Sequence, residues 1–198
     1  VVARRMLQMT RNLNNQWKTH VKDTGVTCWT CHRGQAVPSG DWFNNPGLPH
    51  SQGNMLGDKA GQNTPTMSEV ANSSLPFNPL STYLVNGDFN IRVQGTQALA
   101  GENRRSIKQA EHSYGLMMYM STSLGVNCTY CHNTRAMGDW NVSTPQRVTA
   151  WHGIRMVRDI NTNYLTELAP LFPPYRLSEE GDFPKVGCAT CHKGAYKP

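Results

Sequence analysis

Residues 25–32 read Gly-Val-Thr-Cys-Trp-Thr-Cys-His, and residues 125–132 repeat the pattern as Gly-Val-Asn-Cys-Thr-Tyr-Cys-His. A looser third copy, Lys-Val-Gly-Cys-Ala-Thr-Cys-His, fills 185–192. The three copies use all six cysteines of the 198-residue chain: Cys28 with Cys31, Cys128 with Cys131, and Cys188 with Cys191, each pair followed at once by His32, His132 or His192. Cys-x-x-Cys-His is the attachment motif of c-type haem. Two thiols at this spacing each add to one vinyl group of the same porphyrin, and the next residue presents an imidazole nitrogen to the iron. The motifs predict three covalently bound haem c groups with His32, His132 and His192 as proximal ligands, and they leave no cysteine for a disulfide. Tetrahedral zinc usually joins two Cys pairs and does not require a His after each. A thioredoxin-like redox pair would occur once, within an alternation of strands and helices that this chain lacks. Because covalent haem is assembled outside the bacterial cytoplasm, the chemistry rather than any targeting signal points to the periplasm.

Working outward, each motif is preceded by helical periodicity. A first helix is predicted from about Ala3 to Val21, with Met6, Met9, Leu13, Trp17 and His20 along one face. A second runs from about Asn103 to Ser123 with a stripe of Ile107, Ala110, Tyr114, Met117 or Met118, and Ser121, and Gly125 as its C-cap. A third starts at Thr144-Pro145 and continues through Trp151, Ile154, Val157 and Tyr164 to near Leu168. Gln35 to Gly101 is rich in Pro, Gly, Asn and Ser and reads as a long irregular connection over haem edges. Within it, Asn86-Gly87 between Tyr83-Leu84-Val85 and Phe89, Ile91, Val93 predicts a small β-hairpin. The fold class is therefore a mainly α multihaem cytochrome c, with helix-turn-CxxCH modules in pseudo-repeat, long irregular loops and one hairpin. Its parts are a first haem module over 1–34, the irregular connection over 35–102, a second module over 103–135 and a third over 136–198.

Each iron needs a sixth ligand or an open position, and the donors outside the motifs are nine methionines and His20, His50, His112 and His152. On one continuous helix Met6 and His20 would lie about 21 Å apart along the axis and within about 40° around it. They cannot share an iron, so if both are ligands one helix serves two haems. Met117, Met118 and Met120 crowd the turns before Cys128, and Met117, which continues the Tyr114 stripe, is the choice; Met156 is a minor candidate. His112 and His152 read as surface or propionate-contacting residues, and His50 as a solvated loop residue.

The net charge of +6 and pI of about 9.1 would ordinarily suggest an anionic partner. Three haems bring up to six propionates, for which Arg4, Arg5, Arg104, Arg105, Arg155 and Arg158 are available. The basic residues are scattered, which argues against nucleic acid. No stretch approaches the roughly 18 apolar residues of a membrane span.

The runs RRMLQMTRNLNNQWKTHVKDTGVTCWTCHRGQ, GLMMYMSTSLGVNCTYCHNT, WHGIRMVRDIN and CATCHKGAYKP resemble the cytochrome c subunit of photosynthetic reaction centres, and the resemblance covers nearly the whole chain. That family implies a four-haem rod on the periplasmic face of the reaction centre. The rod re-reduces the photo-oxidised bacteriochlorophyll special pair and takes electrons from a soluble carrier of the cytochrome c or high-potential iron–sulfur protein type. Carried over, the pattern implies Met6 as axial ligand for the Cys28/Cys31 haem, Met117 for the Cys128/Cys131 haem, and His20 for the Cys188/Cys191 haem. The His/His site should have a lower potential than the two His/Met sites. The second motif's haem would lie nearest the special pair, the third's next and the first's farthest out. Only three of the family's four motifs occur. The opening Val1-Val2-Ala3-Arg4-Arg5 is read as a cut start, with a fourth haem module and a lipid anchor expected upstream, or else as a shortened three-haem form. A multihaem reductase or peroxidase is the competing class. It would need an open iron, whereas Met6, Met117 and His20 can close all three, so the chain reads as a carrier and not an enzyme.

Overall fold

In the computed structural model, residues 1–44, 75–76, 78–87, 90–94 and 105–198 are described. His50, Arg104, Phe89 and most of the expected irregular connection lie outside them. The described chain is helical, with one isolated antiparallel bridge between Trp42 and Lys185. It divides into two compact units, one of Val1–Phe43 with Met120–Pro198, the other of Asn44–Tyr119.

In the first unit, α1 (Val2–Gln16) is followed after a break at Trp17 by α2 (Lys18–Val21). The single predicted helix is thus two. Trp17 leaves helical geometry at φ −111°, ψ 28°, while its indole Nε1 donates to Asp159 at 2.9 Å, an oxygen that also receives Asn12 Nδ2 at 3.0 Å. A tertiary anchor sets the break, which is why periodicity did not show it, and the rotation calculated for an unbroken Met6–His20 helix does not apply. α3 (Cys28–His32) is the first motif itself. α5 (Pro145–Ile160) begins at Thr144 as the Thr-Pro pair predicts, then widens into a π-turn over Asn161–Leu165 and closes as α6 (Thr166–Leu168). α7 (Cys188–His192) is the third motif. Leu13, Met156, Ile160 and Leu165 are buried together, with Met6, Met9, Trp17, Val26 and Val186 packed around them. The predicted stripe of α1 does face an apolar core, and Met156 belongs to that core.

The second unit buries Leu80, Tyr83, Leu84, Leu116 and Tyr119. The expected hairpin is not formed: Thr82–Asn86 make a π-helical turn. Asn78 Oδ1 accepts from the backbone N–H groups of Leu80 and Ser81, both at 3.1 Å, and so starts a helix. Only Gly87, at φ 76°, has positive φ, whereas an Asn-Gly hairpin turn needs it at both residues. Asn-Gly here ends a helix. In α4 (Ile107–Leu124), Ile107 and Tyr114 are 78% and 53% exposed, and the buried positions are Ser113, Gly115, Leu116, Tyr119, Met120 and Ser123. The predicted stripe is thus not the core face. Ser113 could be buried because its hydroxyl meets Tyr83 Oη at 2.8 Å and donates to the Ile91 carbonyl at 2.7 Å. Met117 is half-buried, so its selection rests on the family resemblance alone.

Candidate functional site

The first and third motifs adopt the same turn for the same reason. In CWTCH and CATCH the residue before the second Cys is Thr, whose hydroxyl accepts from the backbone N–H at the helix start: Thr27 N to Thr30 Oγ1 at 3.0 Å, and Gly187 N to Thr190 Oγ1 at 2.9 Å. Both helices end in a basic residue and a glycine with positive φ, Arg33 and Gly34, Lys193 and Gly194. That reversal brings a carbonyl back to the histidine: His32 Nδ1 donates to Gln35 O at 3.0 Å, and His192 Nδ1 to Ala195 O at 2.9 Å. The second motif has Tyr130 in place of the Thr, forms a 3-10 turn at Cys128–Tyr130 capped by Asn127, and uses Met137 O for His132 Nδ1 at 2.9 Å. His20 Nδ1 bonds Thr149 O at 2.9 Å. With Nδ1–H donated, each of these four rings keeps the Nε2 lone pair for a metal.

A further repeat escaped the sequence reading. Asn14 clamps the Val26 peptide, Nδ2 to O at 2.9 Å and Val26 N to Oδ1 at 2.7 Å; Asn161 does the same to Val186, at 2.9 Å both ways. Each Val lies two residues before its first Cys. At the second motif Ser121 Oγ donates to the carbonyl of Val126, whose N–H returns to Ser121 O. The clamps sit 14 and 27 residues before their cysteines, so no fixed spacing exposes them. Asn161→Ala should leave the Val186 N–H unpaired at a cost of about 2 kcal/mol. A lowered thermal midpoint together with reduced haem on the Cys188–Cys191 peptide is the expected outcome; a midpoint equal to wild type would show the clamp is dispensable.

Met6 and Leu13 from α1, Cys28, Cys31 and His32 from α3, and Ile160 and Val186 open into one apolar cleft. The His20 and His192 rings pack edge-on, with centroids 6.0 Å apart and planes at 76°. Burial holds both imidazoles below the ordinary histidine range, so both are neutral at pH 7. Gly153 of α5 makes room for His20: a Cβ there would lie 2.6 Å from His20 Cε1. Motif three also touches motif two. Gly194 N donates to Ser123 O at 2.8 Å, and a Cβ on Gly125, itself at φ +64°, would fall 2.1 Å from Gly194 O.

Cys31 and Cys191 are joined by a disulfide, Cα–Cα 4.3 Å, which corrects the expectation that no cysteine forms one. The packing of α3 on α7 brings these sulfurs together. A sulfur in that bond cannot also carry a vinyl group, so haem attachment at either motif requires the thiols. Cys28, Cys128, Cys131 and Cys188 are free, and burial pushes the Cys188 thiol up to about 12. Among the described residues no three His, Cys, Asp or Glu side chains are grouped to hold a metal ion, so the Cys pairs do not assemble a zinc set.

The family model for the photosynthetic reaction centre cytochrome C subunit matches residues 1–198. The chain belongs to that family. Over its whole length it is 51% identical to the photosynthetic reaction center cytochrome c subunit of Rubrivivax gelatinosus (strain NBRC 100245 / IL144), covering 54% of that protein. It is 50% identical to the Thermochromatium tepidum subunit and 43% to that of Roseobacter denitrificans (strain ATCC 33942 / OCh 114), covering 48% and 54% of them. The chain thus spans about half the length of the curated relatives it matches. Among the described residues, no helix is long and apolar enough to cross a membrane.

For a reaction centre cytochrome c subunit the resident cofactor is covalently bound haem c, and two sites can be tested for fit. The first-motif cleft presents the Cys28 thiol, the Cys31 sulfur, an imidazole and a thioether to one apolar space, which with the Cys31–Cys191 disulfide reduced is the donor set of a His/Met haem. At the third motif, His192 has a second imidazole beside it, His20, with ring centroids 6.0 Å apart and each Nδ1 held by a backbone carbonyl, the donor types of a His/His haem. Both fit. Met117 and the second motif fall in different units.

Proposed function

We propose that this chain is an electron-transfer portion of the reaction centre cytochrome subunit, on the periplasmic side of the photosynthetic membrane. There it passes electrons from a soluble carrier to the photo-oxidised special pair. Bound haem c supplies reversible one-electron chemistry at iron. The carrying observation is the packed pair His20 and His192, contributed by separate elements, which supports a trans-ligated chain in which one module completes the coordination of another. In this reading Cys28/Cys31, Cys128/Cys131 and Cys188/Cys191 hold three haems. His32 with Met6, His132 with Met117, and His192 with His20 would hold the irons, and with all three pairs bound a substrate would find no open position. The apolar walls exclude water, and the thioethers favour ferrous iron over what imidazole would give. The 1–34, 103–135 and 136–198 segments are the modules, each a helix leading to a haem-binding turn.

The packing also supports an order. The third motif contacts the first through α3 and α7, and contacts the second through Gly125 and Gly194. That fits a relay running from the first motif through the third to the second, with exit toward the special pair from the second. Flash excitation of membranes containing the full subunit tests it: haem should oxidise as the special pair is re-reduced, and the reduced protein should not bind carbon monoxide. Rapid carbon monoxide binding to any haem of the untreated protein would favour the reductase or peroxidase class instead.

A further inference from the structure

We propose that Arg176, a residue of the third module, is the cation that receives a propionate of the haem carried by the first motif. The proposal rests on the reading of Met6, Cys28, Cys31 and His32 as one haem site. The cleft they share is not walled by the first module alone; Phe172, Arg176 and Lys185 line it from the other end of the chain. Among the described residues, the Asp, Glu, Lys and Arg side chains that line it are Asp41, Arg176 and Lys185. A haem entering this apolar space brings two carboxylates, and an unpaired carboxylate in such surroundings is costly. Of the three, only the cations Arg176 and Lys185 can offset that charge.

Lys185 is already committed. Its Nζ donates to Asp182 Oδ1 at 2.6 Å and to Phe183 O at 3.1 Å, and sits 4.0 Å from the Phe183 ring centre. Its charge is cancelled within its own turn. Arg176 differs: its guanidinium has no hydrogen bond or ion pair among the described residues, although its backbone is fixed by the turn Pro174–Arg176, where Arg176 N meets Pro173 O at 2.9 Å. Asp41 does not neutralise it by contact. Burial holds that carboxyl above its usual range even against the pull of Arg176. An arginine whose backbone is held at the wall of an apolar cleft, and whose guanidinium has no partner among the described residues, can meet a propionate with both charge and bidentate geometry. Arg5, which the composition made an equal candidate, is instead bound to Glu167 and Asn163 O and lies over Tyr164.

The consequence is electrostatic. A fixed positive charge beside a propionate favours ferrous iron, so the third module tunes the potential of the first module's haem. In the full-length subunit within its membrane complex, Arg176→Leu should lower the equilibrium constant for reduction of that haem about tenfold, a 59 mV shift for one electron. Arg176→Lys should keep most of the wild-type value. Met6→His identifies the wave, because it moves the same haem strongly downward. An unmoved wave in Arg176→Leu, or an equal shift at every haem, would overturn the clamp while leaving the haem site intact. A Cys28–Cys31 peptide without haem mass, or a Met6→His protein with no displaced wave, would overturn the site reading and the clamp with it.

Discussion

In the proposed reading, in which His20 is the second ligand of the third-motif haem, Gly153→Ala should displace that imidazole. By helix propensity alone the change is favourable, since alanine in place of a mid-helix glycine gains about 1 kcal/mol. Contact geometry opposes it. The new Cβ would stand 2.6 Å from His20 Cε1 and 2.8 Å from Nδ1. The ring cannot swing aside without losing its Nδ1–H bond to Thr149 O. Backbone movement of α5 is resisted by Ile154, Met156 and Val157, all buried beside Gly153. The imidazole is therefore the part that moves. The expected outcome is a protein with its haems still attached, one of which binds carbon monoxide rapidly and has lost its bis-imidazole signature in low-temperature electron paramagnetic resonance. An unaltered bis-imidazole signal would show that the space around Gly153 does not serve the ligand.

His20→Met should raise the potential of the third-motif haem by on the order of 100 mV, because a thioether stabilises ferrous iron relative to imidazole. Met is unbranched and fits the space His20 leaves, while the Thr149 carbonyl loses its donor at a cost of about 1 kcal/mol. The shift should fall on one wave of the redox titration, and flash-induced transfer should slow if that site lies between the other two. Were His152 the true ligand, His20→Met would leave every wave in place and His152→Met would move one; His152 is instead half-exposed, its ring 4.8 Å from that of Trp151.

Much of the site was legible because haem attachment is a local covalent rule. Cys-x-x-Cys-His names six sulfurs and three imidazoles without reference to the fold. The Thr-Pro start of α5 and the apolar stripe of α1 were equally legible, as both follow from neighbours within a few residues. The failures have two causes. Trp17 breaks the first helix because Asp159 holds its indole, and Ser113 takes a buried place on α4 because Tyr83 and Ile91 satisfy its hydroxyl. Asn86-Gly87 carries a hairpin signal, yet Asn78 had already begun a helix upstream. In the first two cases a partner distant in sequence overrode a local preference worth less than a buried hydrogen bond, and in the third, one local signal overrode another.

What the sequence determined by itself was the kind of cofactor, covalently bound haem c, which the family supports; the attaching cysteines and proximal histidines belong to the proposed reading. Only the tertiary structure decided which modules meet. It set His20 beside His192, placed Arg176 on the wall of the first cleft, brought Cys31 against Cys191 and put the third motif in contact with both others. Covalent attachment needs only residues adjacent along the chain. Trans ligation, charge placement and the order of a relay depend on which surfaces pack, and that is settled by burial and hydrogen bonding summed over the whole molecule.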